Sequence, residues 1–387
     1  MTDRPSLLYL ITEDWFFWSH WLDVARAARD AGFDVTIATR VTDHGERITG
    51  EEFRLLPLGM VRRSHNPFQE LIAIGELVRL YRRVRPDIVH HVAMKPILYG
   101  SLAAWISGAP AVVNEFAGLG HTFTQERNGL LHWCVKSALR TVVGLGGSTV
   151  LVQNRDNQDQ LVREGIVRIA RTKIIAGSGV DVKMFSPKVS PSGIPIVLLP
   201  ARMLWDKGVG EFVVAARCLK GCGVRARFIL AGRRDEHNPA AIPESRLVEW
   251  AQEGVVEWWR HREDMPAVYE AATLVVLPSY YGEGLPKVLL EAAACGKAIV
   301  TTDMPGCRDV VQDRHNGILV PPRDSTALAA AIEELLTDDQ NREVMGRRGR
   351  ELAVAQWSVQ RISEQVLSVY SELLKGASSM DRLNGHV

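Results

Sequence analysis

Short aliphatic and β-branched runs recur along the first half of the chain, at Leu7 to Ile11, Val35 to Ala38, Phe53 to Leu58, Asp87 to Val92, Ala111 to Phe116 and Thr149 to Gln153, with amphipathic stretches between several of them. Strands apolar on both faces, alternating with helices, predict a parallel sheet covered on two sides. In the first unit Ser19 is expected to cap a helix carrying Trp21, Leu22, Val24, Ala25 and Ala28, which stops at Gly32. Between Phe185 and Pro195 the texture changes to a segment rich in Pro and Ser, which reads as a linker. A second β-α series follows at Ile196 to Pro200, Ala226 to Ala231, Val255 to Trp259, Ala272 to Pro278, Ala298 to Thr302 and Gly317 to Val320.

The fold class is therefore α/β, with two Rossmann-like doubly wound domains. Their expected bounds are 1–187 and 188–356, with a helix over 357–375 bracing the two. Val359, Ile362, Val366, Val369, Tyr370 and Leu373 share one face of that helix. Residues 376–387 carry no pattern and read as a mobile tail. Ligands of such sheets bind beyond the C-terminal ends of the strands, so the site is expected in the cleft between the domains.

Composition narrows the function. A net charge of +1 leaves no global field for a polyanion, which disfavours nucleic acid as a partner. Five scattered cysteines without a cleavable apolar leader point to a reduced cytoplasm. Cys218 and Cys222 are one helical turn apart, but no second Cys or His pair follows at zinc spacing, so buried thiols are expected. The uncharged run from Pro96 to Asn114 is broken by Pro96, Gly100, Gly108 and Pro110, and reads as a helix and a strand instead of a membrane span.

Two segments carry candidate chemistry. Arg202 and Lys207 lie in the loop after the second domain's first strand, where a guanidinium, an ammonium and free helix N–H groups would together hold a diphosphate; exposed surface charge is the plainer alternative. After the strand Thr273 to Leu277, Gly282 and Gly284 permit close backbone approach, Pro286 suits a first helical turn, and Glu283 and Glu291 are eight residues apart. Along a helix that spacing is about 12 Å. It exceeds the roughly 5 to 9.5 Å of a glycosidase carboxylate pair and matches the reach from a sugar to a ribose across a diphosphate. The apolar neighbours of Glu291 mean that its carboxylate needs a partner.

EGLPKVLLE resembles the E-x7-E element of retaining glycosyltransferases of family 4, which have the GT-B architecture, and ARMLWDKGVGEF resembles their phosphate-binding loop. TEDWFFWSH, HHVAMKPILYGSLAA, the Gly118 to Gly120 turn, GRRDEHNP and PGCRDVV resemble the bacterial subgroup that extends undecaprenyl-diphosphate-linked oligosaccharides. The resemblance implies a hexosyltransferase that uses a nucleotide sugar, with UDP the expected base carrier, and retains anomeric configuration. Arg202 and Lys207 would hold the diphosphate and stabilise the leaving group. Glu291 would meet ribose hydroxyls, Glu283 the hexose, and the backbone of Gly284, Leu285 and Pro286 the phosphate. No metal and no cofactor is expected. The same fold also serves sugar-nucleotide 2-epimerases, and a non-catalytic sugar-nucleotide-binding protein is a further alternative. No G-x-G-x-x-G follows the first strand of either domain, against a dinucleotide oxidoreductase.

Some positions depart from the family or stay open. Trp15, Phe16, Phe17 and Trp18 replace a glycine pair in the first loop, and Arg260 stands where relatives often carry glycine, leaving base recognition at Arg260 and Arg262 open. On the acceptor side His91, in ambiguous register with His90, is a candidate for proton exchange, although a histidine at a strand end is more often structural. Lys95 would meet an acceptor phosphate, and Glu115, Gly118 and Gly120 complete the acceptor side. No acidic residue lies between Glu126 and Asp156, while Arg127, Lys136, Arg140 and Arg155 accompany Leu130, Leu131, Trp133, Val135 and Leu139. That composition fits a helix on an anionic membrane surface or a helix packed on the sheet, and the aromatic cluster Trp15 to Trp18 tips the reading toward the membrane. A lipid-linked acceptor would place the protein on the inner face of the cytoplasmic membrane.

Overall fold

The structure is a computed structural model that describes residues 4–60, 67–119, 130–188, 193–236 and 238–384. It divides into two compact units, 1–178 with 359–387, and 179–358.

The first unit holds β1 (Ser6–Glu13), α1 (Leu22–Asp30), β2 (Asp34–Arg40), α2 (Gly45–Gly50), β3 (Arg54–Pro57), α3 (Pro67–Val84), β4 (Ile88–Val92), α4 (Met94–Ser107), β5 (Ala111–Phe116), α5 (Leu130–Gly144), β6 (Thr149–Val152), α6 (Arg155–Arg163) and β7 (Thr172–Ile174). The strands pair in parallel in the order β3-β2-β1-β4-β5-β6-β7. Alternation along β1 explains its doubly apolar character: Leu7, Tyr9 and Ile11 pack with Trp21, Val24 and Tyr370, while Leu8 and Leu10 pack with Leu77, Tyr81 and Ala103.

The second unit holds β8 (Ile196–Pro200), α7 (Val209–Gly221), β9 (Arg227–Ala231), α8 (Glu244–Gln252), β10 (Glu257–Trp258), α9 (Met265–Ala271), β11 (Leu274–Leu277), α10 (Lys287–Ala294), β12 (Ala298–Thr302), α11 (Cys307–Val310), β13 (Gly317–Val320), α12 (Ser325–Thr337) and α13 (Asp339–Gln356). Its parallel sheet runs β10-β9-β8-β11-β12-β13.

Several expectations need correction. The boundary falls after Ser178, ahead of the expected 187, because the Pro/Ser-rich segment's entry is fastened to the second unit: Arg350 donates to the carbonyls of Val182 and Phe185 at 2.9 and 2.8 Å, and Phe185 is buried. The last helix, α14 (Val359–Asn384), belongs to the first unit, whose core takes Ile362, Val366, Val369 and Tyr370, and it continues well past residue 375. Ser19 caps nothing. It sits in a π-helical turn, Phe17–Trp21, where its hydroxyl donates back to the Trp15 carbonyl at 2.8 Å and lies 2.7 Å from His20 Nδ1. Cys218 and Cys222 are exposed near the end of α7, whereas Cys295 and Cys307 are buried, and burial pushes both of their thiols up to about 12. No helix among the described residues is long and apolar enough to cross a membrane.

Candidate active site

The site forms where the loops of the second unit leave the C-terminal edge of its sheet. After β8 the backbone keeps pairing with the chain beyond β9: Ala201 N–H donates to the Ala231 carbonyl at 3.0 Å, and Met203 N–H to that of Arg233 at 3.0 Å. A single 3-10 turn, Trp205–Lys207, then ends at Gly208, whose φ of 73° is left-handed. A Cβ at Gly208 would collide with the Pro278 carbonyl, so only glycine lets the loop after β8 close on the loop after β11. That contact brings two distant motifs together.

The Lys207 ammonium meets the Glu283 carboxylate, and both side chains are mostly buried. Ser279, fully buried, donates to Glu283 Oε1 at 3.0 Å and lies 3.1 Å from the Asp206 carbonyl oxygen. Tyr280 N–H donates to that same oxygen at 3.0 Å. Arg202 is one third exposed and pairs with Asp235 at 2.7 Å. From the other side, Gly306 at φ 84° lies so close to the Gly284 carbonyl that a side chain there would clash. Leu285 is buried, and Pro286 is the N-cap residue of α10, one position before the first helical residue.

Glu291 lies on the buried face of α10. Its partner is Tyr269 on α9, whose hydroxyl donates to Oε2 at 2.9 Å. Burial pushes the Glu291 pKa up, against the opposing pull of Lys287 and of that hydrogen bond. Arg262 is forked onto Asp264 at 2.8 and 2.6 Å, and this pairing draws the Asp264 pKa down. Arg260, at a left-handed φ of 56°, accepts from Gly232 N–H at 2.8 Å and lays its guanidinium 4.5 Å from the Trp258 ring centre.

Acceptor-side candidates in the first unit fare differently. His91 is fully buried, its Nδ1 is 2.8 Å from Asn114 Oδ1 and its Nε2 3.0 Å from the Tyr81 hydroxyl. Burial lowers its pKa to about 3, and the ring packs as an uncharged histidine within the core. Gly100 of α4 is the residue that leaves room for its ring. His90 points to the other face, where its Nδ1 lies 2.6 Å from the Tyr370 hydroxyl and its Nε2 3.5 Å from Glu115 Oε2. Glu115 is itself buried and accepts from Gln153 Nε2 at 2.9 Å. Lys95 is paired with Glu70 at 2.8 Å. Gly118 has a positive φ of 116°, and Gly120 lies outside the described residues. Lys136 and Arg140 turn onto the end of α6, contacting the Glu164 side chain at 2.8 Å and its carbonyl at 2.5 Å.

Sequence reasoning did not single out Ser279, Asp235 or Tyr269. Ser279 lies two residues past the end of the buried strand β11 and carried a signal in its position; Asp235 and Tyr269 are ordinary until the fold sets them beside Arg202 and Glu291. Among the described residues no three His, Cys, Asp or Glu side chains group as a metal centre.

Two family profiles match the chain. Residues 194–338 match "Glycosyl transferases group 1" and residues 6–145 match "Glycosyl transferase 4-like". The chain belongs to the family 4 glycosyltransferases. A relative from Campylobacter jejuni subsp. jejuni serotype O:2, N,N'-diacetylbacillosaminyl-diphospho-undecaprenol alpha-1,3-N-acetylgalactosaminyltransferase, is 26% identical over 92% of this chain and 95% of its own length. The Escherichia coli UDP-Gal:alpha-D-GlcNAc-diphosphoundecaprenol alpha-1,3-galactosyltransferase is 21% identical over 81% of this chain and 82% of its own. The crystal structure of Anabaena Alr3699/HepE in complex with UDP and glucose superposes with a TM-score of 0.78 at 20% identity, covering 95% of this chain and all of the other. This glycosyltransferase therefore has the GT-B fold.

Proposed function

We propose that this glycosyltransferase moves a hexose from a UDP-sugar to a saccharide carried on undecaprenyl diphosphate, with retention of anomeric configuration and without a metal ion. The observation that carries the proposal is the meeting of Lys207, Glu283 and Ser279 beside α10, with Arg202 in the same loop as Lys207. A diphosphate entering there exchanges the Lys207–Glu283 pair for a Lys207–phosphate pair. Its second negative charge draws on Arg202, whose planar fork suits a phosphate as well as it suits Asp235. Glu283, released from the ammonium, accepts hydrogen bonds from hexose hydroxyls, and Glu291 accepts from the ribose.

In the reaction the bond from the anomeric carbon to the phosphate oxygen breaks as the bond to the acceptor oxygen forms on the same face. The acceptor's proton passes to the departing phosphate. Lys207 and Arg202 stabilise the charge that accumulates on that phosphate, the work a bound metal ion does in other transferases. The lipid-linked acceptor is supported by the names of the two relatives, both of which act on diphospho-undecaprenol saccharides. Such an acceptor also supports a place at the cytoplasmic face of the membrane.

The test is transfer from a panel of UDP-sugars to a short-chain, water-soluble polyprenyl-diphosphate saccharide, with and without EDTA, and with the product's anomeric configuration read by NMR. An inverted product rejects the mechanism. Activity abolished by EDTA and restored by a divalent cation rejects metal independence. No UDP-sugar turnover by the wild type alongside unchanged UDP binding by Lys207→Ala rejects the site.

A further inference from the structure

Helix α3 presents an unusual outward face. Phe68, Leu71 and Ile72 are 77%, 66% and 66% exposed within its first two turns, while Ala73, Leu77 and Tyr81 carry the buried side that packs on the sheet. Farther along the same outward side come Arg79, Arg82 and Arg83, all exposed. Both of the helix's carboxylates are directed elsewhere: Glu70 pairs with Lys95, and Glu76 accepts from the Gly59 amide at 3.3 and 3.4 Å. Arg82 also approaches the Ile106 carbonyl, at 3.5 Å, and joins the basic end of α3 to the exposed Trp105 and Ile106 of α4. The result is a surface with an apolar end, a basic stretch that no carboxylate among the described residues pairs, and a second apolar edge. An ordinary solvated helix face does not expose three large apolar side chains so close together.

We infer that this face of α3 docks the protein on an anionic lipid surface, with Phe68, Leu71 and Ile72 entering the headgroup boundary and Arg79, Arg82 and Arg83 meeting lipid phosphates. The occupant follows from charge complementarity: apolar insertion beside three exposed arginines matches a negatively charged interface better than an uncharged one. The inference rests on the lipid-linked acceptor proposed above for its purpose, but its geometry is independent of the reaction. It also relocates the membrane contact from the expected helix around Lys136 and Arg140, whose cationic groups are held by Glu164.

The test uses the purified full chain in co-sedimentation with vesicles of phosphatidylcholine alone and of phosphatidylcholine mixed with phosphatidylglycerol. Wild type is expected to pellet with the anionic vesicles and to be released by high salt. Arg79→Gln, Arg82→Gln and Arg83→Gln together are expected to weaken partition by roughly a hundredfold, at about fivefold per arginine. Phe68→Ser, Leu71→Ser and Ile72→Ser together are expected to abolish pelleting at unchanged melting temperature, since these side chains are exposed. Transfer to the water-soluble acceptor stays unchanged in both variants, which separates this inference from the reaction. Pelleting of wild type that is indifferent to anionic lipid, or unaffected by either variant, overturns it. So does a wild-type dimer in sedimentation velocity that the serine variant converts to monomer, which would assign the face to a second copy.

Discussion

The Lys207 ammonium sits on the Glu283 carboxylate, although 76 residues separate them in sequence. The pair closes the loop after β8 onto the loop before α10, and it holds the cation where a diphosphate would arrive. Lys207→Ala is expected to lower kcat/KM by about two to three orders of magnitude, the scale of losing one oriented electrostatic stabiliser. UDP affinity, read by calorimetry, should fall with it. The same change removes the ammonium from a mostly buried carboxylate that keeps the Ser279 hydroxyl as a donor, so a modest loss of thermal stability is also expected. Wild-type activity in Lys207→Ala would place the diphosphate elsewhere.

Glu291 and Tyr269 give a second, separable test. Tyr269→Phe removes the hydroxyl that donates to a carboxylate burial already disfavours, so the Glu291 pKa is expected to rise further and the fold to lose about 1–3 kcal/mol. Raised folded-state pKa means that Glu291 contributes less stability as pH rises through it. The variant's stability deficit should therefore be larger at pH 8 than at pH 5. Chemical denaturation at the two pH values checks this, and an equal deficit at both refutes the assignment.

His91 makes the pH dependence of the first unit predictable. Its folded-state pKa of about 3 lies below the ordinary 6.5, so the unfolded chain binds the extra proton between those values. Its contribution to stability is complete above about pH 6.5 and falls as the medium is acidified, with a slope approaching about 1.4 kcal/mol per pH unit. His91→Gln, which keeps hydrogen-bonding capacity at that position, should flatten the stability curve between pH 6.5 and 5, a window above most carboxylate titrations. An unchanged slope would mean that the ring is accessible to protons in the folded state.

Much of this was legible in the sequence because it depends on local pattern. Each apolar run that predicted a strand contains one; the inner strands such as β1, β5, β8, β11 and β12 are buried on both faces and so read as apolar runs, while the edge strands β3 and β10 are only half-buried and are shorter than their runs. β7 escaped notice because Thr172–Ile174 is a three-residue edge strand, half-buried or exposed, with Lys173 at its centre. The Arg202, Lys207, Glu283 and Glu291 positions were visible as spacing beside strand ends. Which of them pair was not, because Lys207–Glu283 and Glu291–Tyr269 depend on long-range packing. His90 and His91 were indistinguishable by type, and a single strand register sends them to opposite faces. Ala93 carried no signal at all, yet its φ of 76° and ψ of 166° fall in a region nearly reserved for glycine, at the turn from β4 into α4.

Arg323 offers a last prediction, because nothing in its sequence context marks it. It follows β13 at a left-handed φ of 62° and lays its guanidinium 4.4 Å from the ring centre of Tyr280. Tyr280 in turn donates its amide to the Asp206 carbonyl, the oxygen that Ser279 also reaches. The stack thus fixes the loop that presents Glu283 to Lys207. Arg323→Gly relieves about 1 kcal/mol of left-handed strain and removes a contact worth about 0.5–2 kcal/mol, so overall stability should change little. The loop should loosen, raising the donor KM severalfold while kcat falls less, because Arg323 acts through Tyr280 and touches no reacting group. Arg323→Lys keeps a cation over the ring and should restore most of the KM. A melting temperature that falls sharply in Arg323→Gly with KM unchanged would instead show that the stack serves the fold and leaves the donor loop indifferent to it.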